Sequence, residues 1–329
     1  MRVLLGRGVR AVLLLLAVSF LTFVALAGTP GQFADELRLD PRISPATIEA
    51  LRAEFALDEP VLTRYAHWLR AALRGHFGFS LTYRIPVERI LWRRAANTLL
   101  LTATSLCVAW ALALAIGVAT ATARRSGWDR VVGMIAVALL ALPDLLIALA
   151  LLTIAAHTGV LPSGGMTSVG VEPGTWAALR DLAAHMAIPV AVLTLSTMPT
   201  LLQHVRSALR QSMPPPLATA LLARGLPRPR LIARHALKLA SAPLAALGGI
   251  SLGSLLSAGV LVEVLVGWPG MGSLLVEAVT ARDQFVIVAA TALATTALVA
   301  GNAIGDLILH AADPRVRGAE AIPAPAAAQ

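Results

Sequence analysis

Apolar and polar positions fall along this chain in long blocks, not at the short period of a half-buried strand. Apolar runs cover Val9 to Ala27, Asn97 to Ala123, Val131 to His157, Ala183 to Leu209, Ala242 to Val266 and Val286 to His310. Each reaches about 20 residues, the length at which a helix crosses a bilayer's hydrocarbon core. The pattern predicts an all-α polytopic membrane protein with six transmembrane helices. The first run has a competing reading, because Ala25-Leu26-Ala27 resembles the small-residue cleavage site of a signal peptide. Its apolar length exceeds the roughly 7 to 15 residues of such a segment, so it is taken as transmembrane helix 1.

The polar blocks divide the chain further. Residues 1–28 hold the N-terminus and helix 1, and 29–96 mix both charge signs with aromatics and prolines, as a small extracytoplasmic domain between helices 1 and 2 would. Helices are expected there over Pro45 to Phe55, with Ser44 as N-cap, and over Val61 to Leu73, followed by a glycine-rich turn from Arg74 to Ser80. Residues 97–311 form a five-helix core with an inner loop at 211–240 and an outer loop at 267–285, and 312–329 form a tail, disordered from Gly318.

The polar stretch from Arg206 to Ser241 is far longer than the roughly 2 to 8 residues that usually join helices in a bundle. After Met213-Pro214-Pro215-Pro216 it predicts a helix over Leu217 to Arg224, ended by Gly225 as a left-handed cap and by Pro227 and Pro229. A second helix starts near Arg230, where Arg230, Arg234 and Lys238 make one cationic stripe at i, i+4, i+8. Two readings stand: a charged flank that keeps the loop in the cytoplasm, or a surface that docks another protein.

Composition supports the membrane reading, with 57% hydrophobic residues and 14% charged, against about a quarter charged in soluble domains. A net charge of +9 would also suit nucleic acid, but the arginines flank apolar runs and no aromatic-basic platform accompanies them. Placing the N-terminus inside puts fifteen Arg or Lys residues in inner segments, against only Arg180 and Arg282 in the two short outer loops. That asymmetry sets both termini and the 206–241 loop in the cytoplasm.

Candidate chemistry is sparse. Cys107, the single cysteine, sits in an apolar run and is expected to be a small buried hydrophobe. The histidines lack metal-ligand spacing, and no phosphate-binding loop occurs, so no cofactor is expected in this chain. Asp144, after Pro143, faces a water-filled pathway or makes a helix-packing contact. Asn302 and Asp306 share a face of the last helix, near its inner end, where anchoring is the plainer role. Gly249, Gly253 and Ser257 form a small-residue stripe suited to close helix packing. In Gly267-Trp268-Pro269-Gly270-Met271-Gly272, Trp268 reads as an aromatic-belt anchor or as part of a re-entrant loop, with Glu263, Arg282 and Asp283 adding charge at that mouth.

Several stretches stand in a specific order: Leu57-Asp58-Glu59-Pro60 with Tyr65 and Trp68-Leu69, Arg74-Gly75 with Gly78 and Ser80, Pro86-Val87, Thr98-Leu99, and His185 with Pro189. Ala223-Arg224-Gly225-Leu226 with His235 follows, then Glu263 with Trp268-Pro269-Gly270-Met271-Gly272, Arg282-Asp283, and finally Asn302, Asp306 and Asp313-Pro314-Arg315. Their order and spacing resemble the inner-membrane permeases of ABC importers of the dipeptide, oligopeptide and nickel family, from helix 1 to Arg317. The Ala223 to His235 stretch looks like that family's inner-loop signature, related to the EAA loop.

The resemblance implies a bacterial inner-membrane subunit that pairs with a second, homologous permease, a heterodimer being expected. It implies two ABC ATPase subunits carrying ATP and magnesium, and an extracytoplasmic binding protein that delivers peptides, nickel chelates or another small solute. Leu217, Ala218, Thr219, Ala220, Leu221, Leu222, Ala223, Arg224 and Gly225, with His235, would couple to the ATPase; Glu263, Trp268, Pro269, Gly270, Gly272 and Asp283 would form the outer loop or gate. Asp144, Gly249, Gly253 and Ser257 would line the pathway or pack helices. The chain departs from the family at Pro214 to Pro216, where polar helical residues are usual, and at Thr219, Leu222, His76 and Gln32. Rival classes are a gradient-driven secondary transporter, for which inverted repeats are missing, and a membrane-embedded enzyme, for which no catalytic cluster is seen.

Overall fold

The computed structural model describes residues 2–27, 46, 59–80, 82–122 and 126–312. These fold almost wholly as helices: α1 Arg2–Ala27, α2 Val61–Ala72, α3 Val87–Thr122, α4 Ser126–Ala141, α5 Asp144–Thr158, α6 Trp176–Ser212, α7 Pro215–Ala223 and α8 Arg228–Leu231. A π-helical turn, Ile232–Ala236, leads into α9 Leu237–Val266, followed by α10 Met271–Thr280 and α11 Gln284–Ala312. Of the helix expected over 45–55 only Ala46, in helical conformation, is described. Gln32, Leu57, Asp58, Arg124, Arg125, Asp313 to Arg317 and the tail from Gly318 lie outside the described residues.

Among the described residues, four segments are long and apolar enough to cross a membrane as single helices: Gly8–Ala27, Val87–Ala121, Trp176–Ser212 and Gln284–Gly305. Two more reach that length only as bent pairs, Gly127–Ala141 with Asp144–Thr158 at 97° and Gly259–Val266 with Met271–Thr280 at 73°. The single helix expected over Val131 to His157 is therefore broken. Pro143 offers no amide hydrogen to continue α4, and its extended ψ of 139° redirects the chain before Asp144 opens α5.

The chain divides into two compact units, Met1–Leu100 with Glu263–Val299, and Leu101–Val262 with Ala300–Gln329. In the first, α2 buries an aromatic face on α1: the Tyr65 ring meets Phe20 edge-on at 5.2 Å and Phe23 at 5.7 Å, and its hydroxyl bonds Ser19 at 2.9 Å. Trp68, buried beside them, donates from its indole to the Phe77 carbonyl at 3.1 Å and so fixes the following turn. There Gly78, at φ +110°, lies so close to Phe285 that a Cβ would come within 2.8 Å of its ring. Leu91, Leu274 and the Val286 to Ala290 segment complete this core.

The second unit is built on small residues. Ala109, Ala113 and Gly117 of α3 face Leu201, Leu202 and Val205 of α6, and a Cβ on Gly117 would stand 2.6 Å from Val205. Close backbone approach of this kind replaces the hydrophobic drive that lipid cannot supply. Val132 and Ala136 of α4, with Ile232, Ala236 and Ala240, close the same core. Cys107 is exposed, contrary to expectation, because it sits off the Ala109–Ala113 face of α3 and beside outward-facing Val108 and Leu112. Outward apolar side chains such as Leu13, Leu21, Ile135 and Val137 suit a protein surrounded by lipid.

Candidate functional site

Two places gather the residues singled out in the sequence, one in each unit. The first is the turn between α9 and α10. Gly267 takes φ +66° and ends α9, and the Trp268 amide closes back on the Glu263 carbonyl at 2.8 Å. Glu263 is wholly buried, accepting the Thr98 hydroxyl at Oε1 (2.6 Å) and the Gly272 amide at Oε2 (2.7 Å). Thr98 in turn accepts the Met271 amide at 2.7 Å, so one carboxylate and one hydroxyl hold the first amides of α10. Gly270 is the residue that lets this happen, since a Cβ there would lie 2.2 Å from the Glu263 carboxyl carbon.

Trp268 is fully buried, donating to the Asn97 carbonyl at 3.2 Å, while Asn97 donates from its amide to the Pro269 carbonyl at 2.8 Å. It is therefore a packing residue and not the interfacial anchor expected of a lone loop tryptophan. Asp283 is also buried: its Oδ2 accepts the Ser80 hydroxyl at 2.6 Å and the Thr82 amide at 3.2 Å, and its backbone carbonyl accepts the Ile287 amide at 3.0 Å. Glu263 and Asp283 thus bear hydrogen-bonded internal roles and do not charge a mouth as expected; exposed Arg282, at φ +56°, stands outward between α10 and Asp283.

Beside this turn, Tyr83 donates its hydroxyl to Glu277, and Arg94 reaches Glu277 at 3.1 Å and the Ser273 hydroxyl at 3.3 Å. Burial first, then the hydrogen bond and negative charge of Glu277, hold the Tyr83 hydroxyl above the ordinary phenol range. Asn97, Arg94, Ser273 and Tyr83 were not singled out from the sequence, where nothing marks their partners across more than 170 residues of chain for the first three contacts.

The second place is α7. Pro214 is extended, and Pro215 and Pro216 occupy its first turn, where amides have no helical acceptor, so the triple proline starts the helix instead of breaking it. The Ala218 amide already closes on the Pro214 carbonyl at 3.1 Å. The end falls where expected: Arg224 caps, and Gly225 at φ +82° donates to Leu222 at 2.9 Å. Leu217, Thr219, Ala220, Leu222, Ala223 and Arg224 are exposed, while Ala218 and Leu221 are half-buried. Leu217 and Leu222 thus present an exposed apolar surface on a polar connection.

From α8 onward lie the three cations of the expected stripe. Arg230, Arg234 and Lys238 are all exposed, and a π-helical turn, Ile232–Ala236, lies between the first and the last of them. His235 lies exposed in that turn, and Leu231 and Ile232 are buried. Just before α7, the end of α6 is clamped to α4: Arg206 donates to Asp129 Oδ1 at 2.6 Å and its carbonyl at 3.0 Å, and Arg210 to Oδ2 at 2.7 Å. Gly133 leaves room for the Arg206 guanidinium, since a Cβ would meet it at 3.2 Å.

The remaining candidates stay apart. Asp144 is the half-buried first residue of α5, where a carboxylate favours the helix dipole. Gly249, Gly253 and Ser257 lie at four-residue steps within α9, and Asn302 is exposed on α11. Among the described residues no cluster of three His, Cys, Asp or Glu side chains would hold a metal ion.

Residues 113–318 match the family model of the binding-protein-dependent transport system inner membrane component, and residues 1–102 match the N-terminal model of such membrane components. A putative peptide permease of Brucella suis is 31% identical over 320 residues, covering 96% of this chain and 97% of the relative. The oligopeptide transport system permease AppB of Bacillus subtilis is 29% identical, covering 95% and 98%, and the dipeptide transport system permease DppB of Escherichia coli is 26% identical, covering 92% and 94%. Among solved structures, a chain of the MetNI methionine ABC transporter in inward-facing conformations aligns with TM-score 0.56 at 19% identity, covering 68% of this chain and 96% of that one, which shows a shared fold.

Proposed function

The chain belongs to the family of binding-protein-dependent transport system inner membrane components, a membrane permease subunit of ABC importers, and on that premise we propose that it imports peptides. The family works as paired permeases with ATPase subunits and a substrate-binding protein. Peptide cargo is supported by full-length similarity to permeases named for peptides, oligopeptides and dipeptides. The pairing is with a second, homologous permease, and each contributes half of the pathway. The chain crosses six times, with α9 as the fifth crossing, both termini and α7 in the cytoplasm and residues 29–96 and the Trp268 turn outside.

The observation that carries the coupling assignment is the form of α7: nine residues, opened by Pro214 before it and Pro215 and Pro216 in its first turn, closed by a left-handed glycine after, presenting Leu217 and Leu222 outward. Such a segment transmits motion as a rigid body docked in the ATPase. The Asp129 clamp on Arg206 ties it to the membrane helices at its entry. In the other unit the Glu263–Thr98 bond fixes the α9–α10 turn as a stiff gate element.

Copurification tests this directly. With Leu217 to Pro229 deleted, the tagged chain should lose its ATPase subunits while still inserting in the membrane. Retention of the ATPase at wild-type levels would refute the docking role of α7.

A further inference from the structure

Away from both places just described, the first unit holds a cavity of about 520 Å³ whose chemistry neither accounts for. Among the described residues, three guanidiniums, Arg64, Arg70 and Arg74, and two imidazoles, His67 and His76, line it, with one carboxylate, Glu88. Arg64 is buried, with its guanidinium 5.8 Å from the centre of the Phe23 ring, whereas Arg70 and Arg74 are exposed at the opening. The turn that walls the cavity is rigid, held by Trp68 on Phe77 and by the Val87 amide on the Gly78 carbonyl at 3.0 Å.

Its depth in the protein indicates the ligand. Phe23 and Leu26 belong to the last turns of the apolar segment Gly8–Ala27, and Phe285 and Val288 to the first turns of Gln284–Gly305. Cations therefore lie above an apolar wall at the level where two membrane segments begin and end. A soluble anion needs only the cations, whereas a phospholipid uses both halves, its phosphate on arginine and its glycerol and acyl chain on the aromatic and aliphatic floor. Glu88 narrows the choice: its buried Oε2 receives no hydrogen bond among the described residues, so it suits a headgroup that donates hydroxyls.

We propose that the cavity lined by Arg64, Arg70, Arg74 and Glu88 at the membrane boundary binds one anionic phospholipid with a hydroxylated headgroup, of the phosphatidylglycerol type. The arginines hold the phosphodiester by charge-assisted hydrogen bonds and Glu88 accepts from the glycerol hydroxyls. The bound lipid braces α2 against the ends of α1 and α11.

Native mass spectrometry of the full-length chain, titrated with phosphatidylglycerol or phosphatidylcholine in micelles, tests the assignment. One phosphatidylglycerol should bind in preference to phosphatidylcholine. The paired change Arg70→Gln/Arg74→Gln should weaken it about twenty-five-fold, taking each cation near an anionic headgroup as worth about fivefold. Glu88→Gln should narrow the preference for phosphatidylglycerol over phosphatidic acid, which has no headgroup hydroxyls. Arg89→Gln/Arg93→Gln, exposed outside the cavity, should leave binding unchanged. Equal loss in both paired variants, no preference between the two lipids, or displacement by soluble glycerol phosphate at the lipid's own affinity would each overturn the proposal.

Discussion

Thr98 and Glu263, 165 residues apart in sequence, are joined by a 2.6 Å hydrogen bond in the interior of the first unit. Through it the start of the long helix α3 sets the position of the turn that opens α10. Thr98→Val removes that donor and leaves the Met271 amide without its acceptor, at a cost of about 1 to 3 kcal/mol for each stranded group. Thr98→Ser keeps the hydroxyl and should stay near wild type. Thermal unfolding of the purified chain in detergent distinguishes them.

Gly270 and Glu263 should couple in a double-mutant cycle. Gly270→Ala drives a methyl group into the carboxylate, and Glu263→Ala strands the Thr98 and Gly272 donors, so each change alone destabilises. In the double variant the shortened side chain at 263 removes the clash. The combined loss should fall short of the sum by about 0.5 to 3 kcal/mol, the range measured for residues in contact. Strict additivity would mean that the two do not touch.

At Gly225 a Cβ meets nothing within 4 Å, so the position tests backbone conformation by itself. With φ at +82°, Gly225→Ala should cost about 1 to 2 kcal/mol. Gly225→Asn should be tolerated better, since asparagine enters the left-handed region more readily. Transport relative to ATP hydrolysis is the readout: the alanine variant should hydrolyse with less uptake per ATP, the asparagine variant should resemble wild type.

The Asp129 clamp is asymmetric. The Arg206 side chain is 13% exposed and Arg210 66%, although both reach the same carboxylate. Arg206→Gln should lower stability by about 1 to 3 kcal/mol, as loss of a partly buried charged hydrogen bond does. Arg210→Gln should change it by less than about 1 kcal/mol, because an exposed pair is worth little. Comparing their melting temperatures measures the difference.

How much of this was legible in the sequence varied with the range of the interactions. Helix α7 was readable to within two residues, because its start and stop are local: proline before, glycine after. The outward position of Cys107 and the burial of Trp268 were not, since both depend on neighbours far along the chain; Trp268 is held by Asn97, 171 residues away. The break at Pro143 was passed over because a proline inside an apolar run is tolerated in many membrane helices, and its extended ψ shows only in three dimensions. The π-helical turn after Leu231 was hidden too, since no residue type announces it. Glu263 and Asp283 were found by position, but their burial was not, because a carboxylate near a loop looks solvent-facing until its donors are known.

The central claim, that this chain is half of an ATP-driven peptide pathway, is tested most directly by uptake of labelled peptide into proteoliposomes. Liposomes carrying the chain with its partner permease and ATPases, supplied with binding protein outside and ATP within, should accumulate peptide. Omitting ATP or the ATPases should abolish uptake. Accumulation by this chain by itself, driven by a proton or sodium gradient, would contradict the account.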